Sequence, residues 1–359
     1  MEAGARWRCK YCGFEAPLTA YHWRCPRCGR PLDIAYQRRF EPKGRGVARY
    51  SGMLPLSPLR SLGEGGTPSL WLEIGGAKVL FKLDHLNPSG SFKDRGTSLA
   101  LSLAKLLGYS EVVDDTSGNT GISISLYARA YGMSANIVMP ATAPEGKKRL
   151  ARSLGAKVIE APDRGECPAI AEEMSKTMYY VAHTWNYLYV LGASTIAYEV
   201  FEEAGVPDMA VVPVGSGGLL LGLAEGFRSL IELGLSNKMP RLFAVQGYSV
   251  QPLAKALKGM EIKGEASDLA DGIMVPNPPR LQEIARAVSE SRGDVVLVGN
   301  SEVLAAMREL LDLGLVVEPT SAAAYAALQK LRAVASGRTV LVVLTGSGLK
   351  LDLGKILGP

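Results

Sequence analysis

Lys93 lies in a turn that could present its amine for covalent chemistry. It belongs to residues 87–96 (NPSGSFKDRG), which lead into a predicted helix over residues 97–107. An amine at a helix start lies at the positive end of the helix dipole and loses its proton more readily, and partial burial acts in the same direction. A neutral amine is the nucleophile that attacks a carbonyl carbon. A surface lysine in a charged helix start would have the same local sequence, so this turn alone does not establish a reactive lysine.

Residues 116–121 (TSGNTG) precede a second predicted helix, over residues 122–131. The hydroxyl side chains of Thr116, Ser117 and Thr120 would converge with backbone N–H groups at the helix amino terminus. Such a terminus is a favourable place for a carboxylate or a phosphate. An ordinary helix cap at Asn119 or Thr120 would explain the same residues.

Two glycine-rich loops follow predicted strands. Residues 213–218 (PVGSGG) end one strand and precede a predicted helix, and residues 345–350 (TGSGLK) follow the last strand. Glycines let the backbone approach an anion closely at a helix start. The first loop lacks the G-x-G-x-x-G spacing and the lysine of a P-loop, so on its own it is a weak signal.

Four cysteines form two C-x-x-C pairs, Cys9 with Cys12 and Cys25 with Cys28. Tetrahedral zinc takes four thiolates, and two tight turns supply them at this spacing. The pattern therefore predicts a structural zinc ribbon, with disulfides or free thiols as the alternative. A closed site of four thiolates leaves no position for substrate, so no catalytic role is expected. Cys167 has no motif around it, and we expect a passive thiol.

Short apolar runs alternate with helical patterns through the rest of the chain. This alternation predicts an α/β fold with parallel sheets, which bind ligands at the carboxyl ends of their strands. The predicted strands are 78–83, 135–139, 157–159, 210–214, 242–245, 295–298 and 340–344. The predicted helices are 97–107, 122–131, 145–154, 194–203, 219–233, 281–289, 301–311 and 321–335.

The composition excludes several classes of protein. With 47% apolar and 21% charged residues, a chain of 359 residues can bury a sizeable core and is not disordered, collagen-like or a coiled coil. No apolar run approaches the ~18 residues of a membrane span, and no signal peptide is visible, which predicts a cytoplasmic protein. The net charge of +5 without long basic runs favours a small anionic ligand over nucleic acid. The absence of H-E-x-x-H and G-x-S-x-G motifs disfavours a catalytic metal site or a hydrolase triad.

Six motifs in this order resemble those of the fold-type II pyridoxal phosphate enzymes, the tryptophan synthase β-like family. Within that family the sequence is most similar to threonine synthases, some of which carry an amino-terminal zinc ribbon. The resemblance covers about residues 60 to 350. The motifs are 63–68 (GEGGTP), 91–96 (SFKDRG), 117–120 (SGNT), 215–218 (GSGG), 318–322 (EPTSA) and 345–350 (TGSGLK).

The resemblance implies an architecture of two α/β domains with parallel sheets and a cofactor, pyridoxal 5′-phosphate. We expect the zinc ribbon over residues 1–45 and a small domain over residues 91–189. Residues 46–90 and 190–359 would form the large cofactor-binding domain. Enzymes of this group are commonly homodimers, and their substrates are small amino acids.

The resemblance also implies residue roles. Lys93 would hold the cofactor aldehyde covalently and then serve as the general acid/base. The cofactor would bind Asn119 at its ring hydroxyl, Thr345 at its pyridine nitrogen, and Gly215, Ser216, Gly217, Gly218 and Leu219 at its phosphate. The substrate carboxylate would bind Thr116, Ser117 and Thr120. The implied reaction converts O-phosphohomoserine and water into threonine and phosphate.

Residues 181–192 (VAHTWNYLYVLG) depart from the family pattern. Typical threonine synthases have Asn-Pro-x-Arg-x-Glu-Gly here, and the Arg binds the substrate phosphate. In the register set by Gly192, Tyr189 takes the position of that Arg and Leu191 that of the Glu. Either another cation replaces it or the substrate is not a phosphate ester. The candidate cations are Lys147, Lys148, Arg149 and Arg95.

This departure keeps other functions open. The alternatives are a threonine/serine dehydratase, or a cysteine or cysteate synthase that uses O-phosphoserine. The GSGGL loop and Asp271-Gly272-Ile273 resemble dehydratases, whereas Thr345 and Asp94 favour the synthases. A chain that has lost catalysis and binds a partner or nucleic acid is a further class, against which the retained Lys93 argues.

Overall fold

The computed structural model of the chain describes residues 2, 4–116 and 118–358. The chain divides into two compact units, Met1–Gly66 with Asn87–Ala193, and Thr67–Leu86 with Ser194–Pro359. Residues 46–66 therefore group with the ribbon and the four-stranded sheet. The finer division into a ribbon, a small domain and a large domain stays a prediction.

The secondary structure alternates as the sequence predicts. In chain order the strands are β1 (Arg6–Arg8), β2 (Glu15–Pro17), β3 (Asp33–Ala35), β4 (Ser69–Ile74), β5 (Ala77–Lys82), β6 (Glu111–Asp115), β7 (Ser134–Pro140), β8 (Lys157–Ala161), β9 (Tyr179–Tyr180), β10 (Met209–Pro213), β11 (Arg241–Gly247), β12 (Asp294–Val298) and β13 (Thr339–Val343). The helices are α1 (Lys93–Leu106), α2 (Asn119–Ala130), α3 (Glu145–Ser153), α4 (Cys167–Met174), α5 (Tyr187–Ala204), α6 (Gly218–Glu232), α7 (Pro252–Lys258), α8 (Leu281–Glu290), α9 (Asn300–Asp312), α10 (Pro319–Lys330), α11 (Arg332–Ala335) and α12 (Leu353–Leu357). Within the described residues, no helix is both long and apolar enough to cross a membrane.

The first unit contains two sheets. In the ribbon, β1 lies between β2 and β3 and is antiparallel to both, and its central Trp7 is buried. The second sheet has the order β8-β7-β6-β9, and all its strands are parallel. The sequence does not predict β6, because only Val112 and Val113 are apolar in it and Asp114, although fully buried, reads as a surface residue. All four strands end at one edge of this sheet, and Thr116 follows the end of β6 there.

The second unit is built on a six-stranded sheet of order β12-β11-β10-β13-β5-β4. The edge strand β4 is antiparallel to β5, and the other pairs are parallel. Every residue of β10 is buried, as expected of a strand covered on both faces. The predicted α/β class is confirmed. The predicted strand at 340–344 is observed at Thr339–Val343, and the predicted helix at 321–335 is divided into α10 and α11.

Candidate active site

Lys93 is the first residue of α1. Phe92 precedes the helix without a side-chain cap, and the Nζ atom of Lys93 lies 4.8 Å from the centre of the Phe92 ring. The side chain is half-buried. The turn therefore delivers Lys93 to a helix start, as predicted, although the helix begins before the predicted residue 97.

Asp94 fixes the turn that carries Lys93. Its Oδ2 atom accepts the backbone N–H of Ser89 at 2.7 Å, and its Oδ1 atom accepts hydrogen bonds from the hydroxyls of Ser89 and Ser123. Ser123 belongs to α2, so this carboxylate joins the turn to two helices. Burial raises the pKa of Asp94 to about 6, while these hydrogen bonds favour its charged form.

Thr116 follows the carboxyl end of β6, and Gly118 precedes α2. Thr116 N–H donates to the carbonyl of Val138 at 2.9 Å, and Gly118 N–H donates to Thr116 Oγ1 at 3.3 Å. The helix begins at Asn119, with Gly118 as its cap and no side-chain cap hydrogen bond. Asn119 and Thr120 therefore lie in the first helical turn, and neither is the cap. Ser117, a predicted substrate contact, lies outside the described residues.

A lysine lies beside this helix start. A Cβ atom added to Gly118 would lie 3.5 Å from Lys147 Nζ. Lys147 and its neighbour Lys148 are both buried on α3, but Lys148 Nζ lies 2.9 Å from Glu160 Oε2 in an ion pair. Arg149 is exposed. Of the three adjacent cations, Lys147 is the one placed at the turn.

Tyr189, in the first turn of α5, is buried, and its hydroxyl lies 3.0 Å from Thr97 Oγ1. Burial raises its pKa well above 10, so the phenol stays neutral and supplies no charge for a phosphate. A Cβ atom added to Gly96 would lie 2.7 Å from Tyr189 Cα, so α1 and α5 approach closely here. Arg95 is fully buried, and its Nη1 atom would lie 3.0 Å from a Cβ atom on Gly65.

The glycine loop of the second unit connects β10 to α6. Gly217 caps α6 in the left-handed region, at φ +85°, without a side-chain hydrogen bond. The N–H of Leu221 donates to the Gly217 carbonyl at 2.9 Å, and the N–H groups of residues 218–220 precede this bond at the open helix end. A Cβ atom on Gly217 would lie 2.5 Å from Ile284 Cγ1, whereas one on Gly218 would have no atom of the described residues within 4 Å. The loop thus offers helix-end N–H donors beside open space, which suits an anion.

Thr345 lies just beyond β13 and is buried. Its Oγ1 atom lies 3.0 Å from the Oγ atom of Ser321, which accepts the N–H of Gly346 at 2.9 Å. Because β13 and β10 are parallel neighbours, Thr345 and the glycine loop lie at the same edge of their sheet. The motifs assign no role to Ser321, the residue that contacts Thr345. Its place in the EPTSA motif is the signal in the sequence that could have indicated it.

Each unit carries groups of a kind that pyridoxal phosphate binds, since this cofactor takes an amine, polar partners for its ring and donors for its phosphate. In the first unit, Lys93 and Asn119 begin two helices that Asp94 joins. In the second unit, the glycine loop and Thr345 share one sheet edge. Any side chain larger than that of glycine at position 218 would fill the open space beside it, so Gly218 leaves room there for an anion.

A family model described as pyridoxal-phosphate dependent enzyme matches residues 60–346. The chain belongs to this family. The match includes every predicted cofactor residue from Lys93 to Thr345, and the predicted cofactor class is thereby confirmed. In this pyridoxal-phosphate-dependent enzyme the four paired cysteines lie before the matched segment.

Several relatives of this family member are named threonine synthase. The Methanosarcina acetivorans protein is 30% identical over 96% of this chain and 91% of its own length. The Synechocystis protein is 34% identical over 85% of this chain and 82% of its own length. The Methanocaldococcus jannaschii protein is 28% identical over 96% of this chain and 92% of its own length.

Solved structures of other enzymes share the fold of this pyridoxal-phosphate-dependent enzyme. O-ureido-L-serine synthase matches with a TM-score of 0.69 at 22% identity, over 80% of this chain and 92% of that one. Maize serine racemase matches with a TM-score of 0.68 at 23% identity, over 81% of this chain and 90% of that one. At these identities the similarity establishes the fold alone.

The four paired cysteines form one cluster. Their Sγ atoms all lie within 4.8 Å of one another, and Cys9 to Cys28 and Cys12 to Cys25 are each 3.5 Å apart. Tetrahedral zinc with Zn–S bonds of about 2.3 Å would place its sulfurs about 3.8 Å apart, so the cluster fits this ion. The glycine after each pair, Gly13 and Gly29, has φ near +70°. Both glycines donate their N–H to the carbonyl of the first cysteine of the pair.

Proposed function

We propose that the chain is a threonine synthase, which converts O-phosphohomoserine and water into threonine and phosphate. The observation that carries this proposal is the similarity to threonine synthases over most of their own length, at 28–34% identity. The retained Lys93 turn and the two anion-binding helix starts support the same reaction class. Pyridoxal phosphate, when bound, withdraws electrons from the substrate and stabilises negative charge on its carbon atoms.

Lys93 is proposed as the residue that attaches the cofactor and moves the protons. Its Nζ atom takes one proton from the substrate Cα and one from Cβ, and it returns one to Cγ and one to Cα. Phosphate leaves from Cγ, and water adds its OH to Cβ and its remaining proton to the phosphate. Asn119 hydrogen-bonds the ring hydroxyl, and Thr345 meets the pyridine nitrogen. A hydroxyl at that nitrogen leaves it largely unprotonated, whereas a carboxylate would protonate it.

Anion binding is divided between the helix starts. Gly215, Ser216, Gly217, Gly218 and Leu219 direct backbone N–H groups at the cofactor phosphate. Thr116, Ser117 and Thr120 hold the substrate carboxylate. Lys147, beside Gly118, supplies positive charge at the same turn. These contacts orient the substrate and favour one that carries two anionic groups, a carboxylate and a phosphate.

The ribbon is proposed to bind one structural zinc ion through Cys9, Cys12, Cys25 and Cys28. The thiolate cluster and the two left-handed glycines support a metal knuckle of this kind. We also propose a cytoplasmic homodimer without a nucleic-acid partner. Light scattering on the zinc- and cofactor-loaded protein tests the dimer.

Tyr189 favours one alternative. A neutral buried phenol stands where the family's phosphate-binding Arg is expected, so a substrate without a γ-phosphate is the second candidate. The corresponding activities are threonine/serine dehydration, or cysteine or cysteate synthesis from O-phosphoserine.

Product analysis decides between these functions. The cofactor-loaded protein is incubated with O-phosphohomoserine, and threonine and phosphate are measured, with Lys93→Ala as the control. Equal amounts of both products, lost in the variant, support the synthase. A cofactor-loaded protein that releases no phosphate would refute it, and serine, threonine and O-phosphoserine would then be assayed for ammonia or sulfur-amino-acid products.

A further inference from the structure

Asp114 and His183 form a buried pair at the carboxyl edge of the four-stranded sheet. His183 Nδ1 lies 2.7 Å from Asp114 Oδ2, and the His183 backbone N–H donates to Asp114 Oδ1 at 3.2 Å. Asp114 is fully buried, whereas the imidazole keeps 12% of its side-chain surface exposed. One carboxylate therefore fixes both the backbone and the ring of His183, and the ring's Nε2 edge is not used by this contact.

The backbone before His183 is held in a strained conformation. Ala182 has φ +47° and is buried, although a left-handed backbone is unfavourable for a residue with a Cβ atom. Asn186 stabilises this bend, because its Nδ2 atom donates to the Val181 carbonyl at 3.0 Å and its Oδ1 atom accepts the N–H of Leu188 at 3.0 Å. Strain that is maintained by surrounding hydrogen bonds is typical of a residue with a functional position.

The pair lies next to the turn proposed for substrate binding. Asp114 is the penultimate residue of β6, and the turn that begins at Thr116 follows that strand directly. Val181 continues the β9 ladder through an N–H bond to the Val113 carbonyl at 2.9 Å, so His183 and Thr116 leave neighbouring parallel strands at the same edge. The ring centres of His183 and Tyr189 are 6.1 Å apart. His183 thus adjoins the position from which the family's Arg is missing.

We infer that His183, held by Asp114, binds the anionic group on the substrate side chain through Nε2. Asp114 acts as a positioning residue, because its carboxylate holds the Nδ1 edge of the ring and leaves the Nε2 edge to face a ligand. An Nε2–H of the ring donates a charge-assisted hydrogen bond to a phosphate oxygen. This inference rests on the proposed function, because it takes the substrate to be a phosphate ester.

The test compares ligands with and without phosphate on the cofactor-loaded enzyme. Binding of O-phosphohomoserine and of homoserine is followed by the cofactor absorbance, and inorganic phosphate is titrated as a competitor. In His183→Gln, we expect the dissociation constants of O-phosphohomoserine and phosphate to rise about 10- to 100-fold, as for loss of a charge-assisted hydrogen bond. The dissociation constant of homoserine should stay within about twofold. Tyr180→Phe, which removes a neighbouring hydroxyl, should leave both affinities unchanged.

Asp114→Asn provides the readout that a purely structural role would not give. Without the carboxylate the ring loses the group that orients it, so the affinity for phosphate should fall while the dissociation constant of homoserine stays within about twofold. If His183→Gln does not fold, His183→Asn and the phosphate competition in Asp114→Asn still decide the question. Equal weakening of both amino acids, or unchanged phosphate competition, would overturn the inference. A wild-type protein that prefers O-phosphohomoserine but forms no threonine would instead refute the proposed function alone.

Discussion

Replacing Gly217 by alanine should separate two effects at the glycine loop between β10 and α6. The residue adopts φ +85°, which a side chain disfavours by about 1–2 kcal/mol. Its new Cβ atom would also lie 2.5 Å from Ile284 Cγ1, and such overpacking costs about 1–3 kcal/mol more. We therefore expect Gly217→Ala to lower the free energy of unfolding by roughly 2–5 kcal/mol.

Gly218→Ala is the matched control, because its Cβ atom would meet no atom of the described residues within 4 Å. As a helical residue it should be neutral or stabilising by up to about 1 kcal/mol in the cofactor-free protein. If the open space is the phosphate site, the added methyl group should weaken cofactor binding at least about tenfold, or about 1.4 kcal/mol. Gly217→Ala should thus lower the stability, whereas Gly218→Ala should preserve or raise the stability while it weakens cofactor binding.

Urea unfolding of the cofactor-free variants measures the first effect, and titration with pyridoxal phosphate followed by absorbance measures the second. A cycle with Ile284→Ala tests the collision, since Gly217→Ala should destabilise this background by about 1–3 kcal/mol less than it does the wild type. Additive effects in that cycle would refute the steric argument. Unchanged cofactor affinity in Gly218→Ala would refute the assignment of the phosphate site.

Three further predictions concern the first unit. The pKa of Asp94 is about 6 in the folded protein, above its unfolded value, so the folded state binds more protons between about pH 4 and 6. The contribution of Asp94 should therefore lower the free energy of unfolding by roughly 3 kcal/mol as pH rises through that window. In Asp94→Asn, the urea midpoint should change less steeply with pH than in the wild type. Removal of zinc by a chelator, or the substitution Cys28→Ser, should lower the melting temperature. The tryptophan fluorescence should change as well, because Trp185 packs against the ribbon. Metal analysis of the untreated protein should give one zinc ion per chain. Gly192→Ala should lower the free energy of unfolding by about 3 kcal/mol or more, because its Cβ atom would lie 2.5 Å from the Arg95 carbonyl carbon. A calorimetric melting temperature equal to that of the wild type would contradict this close packing.

Much of the fold was predictable because its strands are apolar on both faces. The runs that become β10 and β13 are continuously apolar, and their ends are within a residue or two of the predicted bounds. The strand β6 escaped prediction, because a buried Asp114 is stabilised by His183, a residue distant in sequence. Pairings of this kind depend on tertiary contacts that no local pattern contains.

The candidate site divides in the same way. Turns that carry Lys93, Asn119 and the glycine loop are local features, so their motifs indicated them. Of the four cations that the sequence offers in place of the missing Arg, Lys147 lies beside Gly118, at the turn proposed for the substrate carboxylate. The group next to Tyr189 is instead His183, which no motif indicated. Such a choice depends on which helix face reaches the turn.

The ribbon covers an aromatic surface of the first unit. Trp23 packs edge-on against Trp185 at 5.4 Å and against Tyr180 at 5.1 Å, and the Tyr21 ring lies 4.0 Å from that of Tyr179. The family match begins only at residue 60, beyond the ribbon. A chain cut at that boundary would expose three aromatic side chains that normally each bury about 150–250 Å². Loss of the ribbon would therefore leave these rings exposed to solvent unless other residues of the first unit were changed as well.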